Sequence, residues 1–359
     1  MTVEIRIAQN EDATEWNTII SQSPHGTIFH QWAWLKITEK HTGTKLYPLI
    51  GIKGGIPVGV VPLFFQKKGP ARMVFSPPPH AALFYLGPVM AGYDTLKQEK
   101  REHMYFDFQN SVENFINNDL KANYVSISLS PGLQDPRPFS WSGYAIEPNF
   151  DYAVDLSTGM DFLYSSLDRK QRADLKRAKG KGMTVEIGTK KDFETILDLM
   201  DIRYIQQAKI VTASRDYFLD LYEVYKDNLK IFVVKFEGEI ITGTIDLEYR
   251  DSLYCWIGNP KPINPISPSP NDLLISECIR YASENGLKYH TTFGAAGDER
   301  LYTYYATKFN PELRVRYTAT KKSFLTEILK EGYKNILKPL RGRMKHLMVE
   351  ETIPKINDN

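Results

Sequence analysis

A chain of 359 residues, 42% hydrophobic and 25% charged, has the make-up of a soluble globular protein and enough length for two ordinary domains. Its formal net charge of +2 does not argue for nucleic acid or a membrane surface by itself, so any such partner has to meet a local patch. The two cysteines, Cys255 and Cys278, lie outside any metal-binding spacing, and neither an apolar signal core nor a membrane-length apolar run occurs, so the sequence reads as cytoplasmic.

In chain order, Thr2-Val3-Glu4-Ile5 opens a short strand, followed by a polar bend and a helical stretch, "DATEWNTIISQ". The run "KLYPLIGIKGGIPVGVVPLFFQ" then predicts a hairpin about Gly54-Gly55, because a tight two-residue turn needs positive φ angles that glycine reaches cheaply. An aromatic strand, "LFYLGPV", a helix, "YFDFQNSVENFINNDL", and a strand, "YVSISLS", complete the first half.

The tetrapeptide returns as Thr184-Val185-Glu186-Ile187, and the same order follows it. "DFETILDLMDIRYIQQ" is helical, "KIFVVKFEGEIITGTIDLEY" is a hairpin about Gly238, "LYCWIGNP" is the aromatic strand, and "LLISECIRYASENG" leads into "KYHTTFG". An antiparallel hairpin running into a strand–helix–strand crossover gives a mixed sheet with helices against it. The fold class is therefore α/β, with mixed α+β sheets, in two units at 1–152 and 183–322. Between them, 153–182 carries a basic linking helix that ends at Gly180 or Gly182, and 323–359 reads as a helical tail broken at Pro339.

Three stretches carry candidate chemistry. From Arg169 to Lys181 seven of thirteen residues are basic, and Arg169, Arg172, Lys176 and Lys179 share one helical face, a stripe suited to phosphate-bearing ligands or to plain solvation. In "LYCWIG", alternation puts Tyr254, Trp256 and Gly258 on one face, to hold an acyl or sugar group or to fill the core. The neighbouring strand sets Thr244, Asp246 and Glu248 on one face, where Asp246 or Glu248 would take a proton from an attacking amine if it reaches the cleft. The seven histidines show no metal spacing, and no G-x-S-x-G elbow occurs, so neither a metal centre nor a serine hydrolase is supported.

The sheet order, with the marks "FHQWAWLKITEKHTG" (Phe29, Trp34, Gly43), "RADLKRAKGKGMTVEIG" and "NDLLISECIRYASENGLKYHTTFG" ending in "YYATKFN", resembles the FemAB-like group of tandem GCN5-related N-acyltransferase (GNAT) folds. That group comprises the peptidoglycan interpeptide-bridge aminoacyltransferases and their relatives. The resemblance implies an acyltransferase carrying an aminoacyl or acyl group from aminoacyl-tRNA, or from acyl-CoA, to an amine of an anionic cell-envelope precursor, with no metal, no resident cofactor and no covalent enzyme intermediate. It implies an acceptor groove on the first domain, with Ser76 to His80 along it, and a donor side on the second. Arg172 and Lys176 would hold the anionic ligand, Tyr305 and Lys308 would act near the donor, and Trp34, Tyr254 and Trp256 would shape the substrate site.

Two departures stand out. Where the family carries an aromatic–lysine pair, this chain has Tyr305 and Ala306, with Lys308 about 200° away if the helix continues. Where acyl-CoA enzymes of this fold offer a glycine-rich pyrophosphate turn, Asn259 to Asn271 holds five prolines and no glycine, and proline has no N–H to donate. An acyl-CoA-dependent N-acyltransferase and a non-catalytic RNA- or glycan-binding relative are the rival readings.

Overall fold

The structure, a computed structural model, describes residues 2–206, 213–258, 260–294 and 306–323. The first half comprises β1 (Glu4–Ile7), α1 (Ala13–Gln22), α2 (Trp32–Thr42), β2 (Lys45–Lys53), β3 (Ile56–Lys68), β4 (Ala71–Ser76), β5 (Val89–Met90), α3 (Gln98–Asn114), β6 (Tyr124–Ser128), α4 (Arg137–Trp141) and β7 (Ala145–Asp155). Helices α5 (Met160–Ser166) and α6 (Arg169–Gly180) link it to the second half. That half runs through β8 (Thr184–Ile187), α7 (Lys190–Gln206), α8 (Arg215–Tyr225), β9 (Leu229–Phe236), β10 (Glu239–Tyr249), β11 (Ser252–Gly258), α9 (Pro270–Glu284), β12 (Tyr289–Thr292) and β13 (Glu312–Lys322).

The repeated tetrapeptides mark edge strands: Thr184–Ile187 is β8, against β9, and Glu4-Ile5 of the first copy open β1, against β2. Both hairpins form where the glycines predict them, with φ of 60° and 79° at Gly54-Gly55 and of 53° and 84° at Glu237-Gly238, the positive pairs that such turns require. Each half then adds a parallel crossover, β4 to β6 through α3 and β11 to β12 through α9. The two halves thus repeat one plan as tandem GNAT-like units.

They do not form separate sheets. All the strands among the described residues join one sheet, in the order β1-β2-β3-β4-β6-β13-β7-β12-β11-β10-β9-β8, with β5 beside β3. The last strand of each half lies against the other half: β13 pairs with β6, β7 pairs with β12, and β7 and β13 pair antiparallel at the centre. The hydrophobic layer follows the exchange. One core cluster draws Trp16, Phe29 and Trp34 from the first half together with Phe193, Leu221 and Trp256 from the second, all buried. On the opposite face α3 and α9 each cover their own half.

Two expectations about elements need correction. The strand matching β11 is β4, whereas "LFYLGPV" supplies only a bridge at Leu86 and the short β5, because prolines on both sides break its pairing. The linking helix is also two helices. Asp168 caps the second through Gln171 N at 2.6 Å, while the Gln171 side chain returns to the Asp168 amide at 3.0 Å, and this capping box ends α5 at Ser166. The tail from 324 onward, with Pro339, lies outside the described residues. Among the described residues no helix is long and apolar enough to cross a membrane.

Because the shared core spans both halves, they should unfold together. Trp34→Ala, which removes a fully buried ring, is expected to lower stability by about 3–5 kcal/mol. Urea unfolding followed by fluorescence and by circular dichroism should give one coincident transition.

Candidate functional site

The parallel pairing of β11 with β12 runs from Ser252↔Tyr289 to Cys255↔Thr292 and then stops, although β11 continues to Gly258. At the same point β11 carries a bulge: Ile245 faces Ile257 and Asp246 faces Cys255, so Trp256 is the extra residue. The strands therefore part at their carboxyl ends, the usual place for a ligand in an open α/β sheet. The equivalent gap in the first half is filled by its own chain. Leu86 N donates to Ser128 O at 2.9 Å, Leu86 bridges Leu129, and Gly87 N donates to Ser76 Oγ at 3.0 Å.

A cleft of about 620 Å³ lies over the joint between the halves. The turns at Pro24–Thr27 and Ser130–Gln134 form its first-half wall, and Tyr254, Tyr289, Thr291 and Phe293 form its second-half floor. Three buried polar atoms in its lining have no hydrogen-bond partner among the described residues: His25 Nε2, Ser130 Oγ and Thr291 Oγ1. Leaving such groups unpaired is unfavourable by roughly 1–3 kcal/mol each, so a water or a ligand that reaches them is held. Burial pushes the His25 imidazole down to about 4, with Arg101 adding to the effect, so the ring is neutral at physiological pH. Its Nδ1 accepts the Met90 N–H at 3.5 Å, which leaves Nε2 as a donor.

The floor is aromatic. Tyr254 and Phe293 stack at 5.5 Å with 5° between their planes, and Phe84 stacks on Phe293 at 4.4 Å. Two arginines stand among the lining residues: Arg314 lies over the Tyr289 ring at 4.1 Å, and Arg250 donates to Ile20 O and Ser21 O at 2.6 and 2.9 Å. Beneath the floor, Asp151 and Arg316 form a buried pair, with Nε to Oδ2 at 2.9 Å. Asp151 also accepts Gly294 N at 2.7 Å, and Arg316 donates to Phe84 O at 3.2 Å.

The residues singled out from sequence are dispersed around this cleft. Tyr254 lies on its floor. Trp34 and Trp256 pack edge to face at 5.4 Å inside the shared core, and Trp256 Nε1 donates to Ala82 O at 2.8 Å. Asp246 is completely buried on the α9 face, away from the cleft, while Glu248, half-buried, meets Tyr281 Oη at 3.3 Å and Lys230 at 3.6 Å. Arg172 turns back on α5 and donates to the carbonyls of Ser165, at 3.0 Å, and Leu167. The expected stripe is divided further, since Lys179 pairs with Glu277 of α9 at 2.8 Å, whereas Arg169 and Lys176 remain exposed. Ser76 closes the first-half gap instead of lining a groove, and His80 is exposed outside the cleft.

Lys308 is not on a helix. It sits in a bend before Phe309 and Asn310, both at positive φ, and its Nζ pairs with Asp272 in the first turn of α9 at 2.6 Å. Burial lowers its affinity for the proton, while Asp272 acts in the opposite sense. Tyr305 lies outside the described residues.

The first turn of α9 does not fit a pyrophosphate. It begins with Pro270, Asp272 places a carboxylate there and spends its own N–H on Ser269 O, and the Asn271 side chain is engaged by Thr242 Oγ1 at 3.0 Å. The proline run is held as a wall: Pro260 O accepts from Thr242 Oγ1 at 2.8 Å, and Ser267 O accepts from Lys181 Nζ at 2.7 Å. Sequence reasoning missed His25, Ser130, Thr291, Asp151 and Arg316. The signal for the first two was the paired "SPHG" and "SPGL" turns, each setting a polar residue between or beside rigid and permissive neighbours.

The family model described as an acetyltransferase (GNAT) domain matches residues 166–304. Among solved structures, the chain is similar to one titled FemX, with a TM-score of 0.64, 15% identity, and 88% of this chain and 96% of that chain covered. It is also similar to the C-terminal domain of a putative lysylphosphatidylglycerol synthetase from Agrobacterium fabrum, with a TM-score of 0.53, 15% identity, and coverage of 90% and 96%. A tandem GNAT protein from the clavulanic acid biosynthesis pathway gives 0.54 at 11% identity, covering 89% and 98%. These likenesses concern the fold. No curated protein matches the chain.

Burial of His25 and His30 makes stability depend on acidity. Both imidazoles are depressed by burial from 6.5, to about 4 and about 3, so as pH falls below 6.5 the unfolded chain binds protons that the folded chain refuses. Stability present above pH 6.5 is expected to be lost progressively down to about pH 4 and below. His25→Gln should flatten that slope in denaturant titrations at stepped pH.

Proposed function

We propose that this chain, whose fold is that of the tandem GNAT acyltransferases, moves an aminoacyl group from aminoacyl-tRNA to an amine of an anionic cell-envelope precursor. The observation that carries this reading is the cleft across the joint. It presents unpaired neutral polar groups and an aromatic floor over the first residues of β11 and along β12, where the two halves meet. The first half, its own gap filled, supplies the acceptor wall, and the second supplies the donor side.

The chemistry asked of such a site is modest. An amine attacks an activated ester directly, so the site must hold the two reactants in line and stabilise the oxyanion that develops. His25 Nε2–H, Ser130 and Thr291 hold the acceptor, Arg314 and Arg250 favour its anionic part, and Tyr254 with Phe293 provides an apolar face. Lys176 and Arg169 on α6 offer charge to a donor backbone, while Arg172 acts through the α5 carbonyls it caps. The carboxylate and proline at the α9 start favour a donor other than coenzyme A, and no step is assigned to that group. The acyl-CoA reading keeps one specific support, the acetyltransferase description of the matched model.

Incubation with radiolabelled aminoacyl-tRNAs and acyl-CoAs, each with extracted envelope precursors, separates the two. Label is expected to leave the tRNA pool alone. Loss from the thioester pool alone, or from neither, would overturn the proposal. His25→Gln and Thr291→Val should each lower kcat/KM for the acceptor about tenfold, the effect of one lost hydrogen bond.

A further inference from the structure

The hairpins joining β3 to β4 and β10 to β11 hold equivalent places in the two halves, and each turns through two residues. These are Gly69-Pro70, between the paired Lys68 and Ala71, and Arg250-Asp251, between the paired Tyr249 and Ser252. The first turn residue has φ of 56° at Gly69 and of 55° at Arg250. Glycine takes that left-handed conformation freely, whereas the Cβ of an arginine is crowded there. The backbone demand is the same in both halves, and the second meets it with a residue ill suited to it.

The Arg250 side chain reaches into the other half. Its Nη2 donates to Ile20 O at 2.6 Å and to Ser21 O at 2.9 Å. Both carbonyls lie in the last turn of α1, where the helix has no amide left for them. Four residues beyond Ile20 stands Pro24, which has no N–H, and four beyond Ser21 stands His25, whose N–H goes to Ser23 Oγ at 3.2 Å. A guanidinium here supplies the missing donors and opposes the negative end of the helix dipole.

The first-half wall of the cleft is seated on the same carbonyl. A Cβ on Gly26 would lie 2.0 Å from Ile20 O, so the turn carrying His25 packs directly against it. The second turn of the wall packs on the first, since a Cβ on Gly132 would lie 2.7 Å from Pro24 O. Contact therefore runs from Arg250 through Ile20 O and Gly26 to His25, and through Pro24 and Gly132 to the turn bearing Ser130.

We propose that Arg250 is a positioning residue for the cleft: it clamps the end of α1 from the second half and so sets where the wall presents His25 Nε2 and Ser130 Oγ. Its use rests on the acyl-transfer reading, in which those groups hold the acceptor. The clamp acts through Ile20 O, bonds to no reacting atom and moves no proton. It accounts for an arginine where the first half has glycine, because glycine in that turn would leave both carbonyls without the donor that ties them to the second half.

The test is read on His25 and needs no substrate, which keeps its failure separate from that of the transfer reading. In the full chain with 15N-labelled imidazoles, Arg250→Gly suits the turn and removes the clamp. It is expected to shift both His25 ring nitrogen signals and to speed exchange of the ring proton. Arg250→Lys, which keeps a donor for these carbonyls, should return the signals part of the way. Gly26→Ala, which forces the turn off Ile20 O with Arg250 in place, should shift the same signals. An arginine that merely stabilises the fold would lower the urea midpoint in Arg250→Gly without moving His25 in the folded chain. Unmoved His25 signals in Arg250→Gly or in Gly26→Ala would overturn the clamp, as would no return with Arg250→Lys. Arg250→Asn, which also accepts this backbone conformation, decides by the same readout if Arg250→Gly fails to fold.

Discussion

The architecture turns on the buried Asp151–Arg316 pair, which joins the two exchanged strands at the centre of the sheet. A buried ion pair is not a source of stability in itself, because desolvation offsets most of the attraction. Removing one member is another matter, leaving a charge stranded at a loss of about 3–5 kcal/mol. Here the remaining valences are used to place backbone. Asp151 holds Gly294, where β12 leaves its neighbour, and Arg316 holds Phe84, in the segment that fills the first-half gap. One pair thus anchors backbone beside the strand ends of both halves.

The asymmetry follows from chain length between equivalent strands. Both halves make a hairpin, a further antiparallel strand and a parallel crossover. After β4 the first half has a long excursion, and Leu86 and Gly87 return to satisfy Ser128 and Ser76. After β11 the second half enters the proline run, in which five of thirteen residues have no amide N–H to offer.

Much of the fold was legible in sequence, because its signals are local. Positive-φ glycines mark the hairpins, the repeated Thr-Val-Glu-Ile marks the edge strands, and period-2 runs mark β9 to β11. The strand exchange was not legible. Each of β7 and β13 shows the pattern of a strand, and no feature of either says which half it joins. The same limit applies to the cleft, whose unpaired groups come from positions 25, 130 and 291, each ordinary in its own segment. Arg172 shows the opposite failure. A cation on a basic helix reads as ligand-binding until the carbonyls of α5, brought beside it by the Asp168 cap, are known.

What the two faces of the sheet share is their distance from bulk water. On the cleft face, neutral donors and hydroxyls wait unpaired, and a ligand that covers them would strengthen every contact by excluding solvent. On the α9 face, the polar atoms of Asp246 and His290 are already sealed under Cys278 and Ile275, leaving room only for something the size of water. Strand β12 carries both, with Thr291 facing the cleft and His290 facing the helix, as the period-2 alternation of a single strand requires.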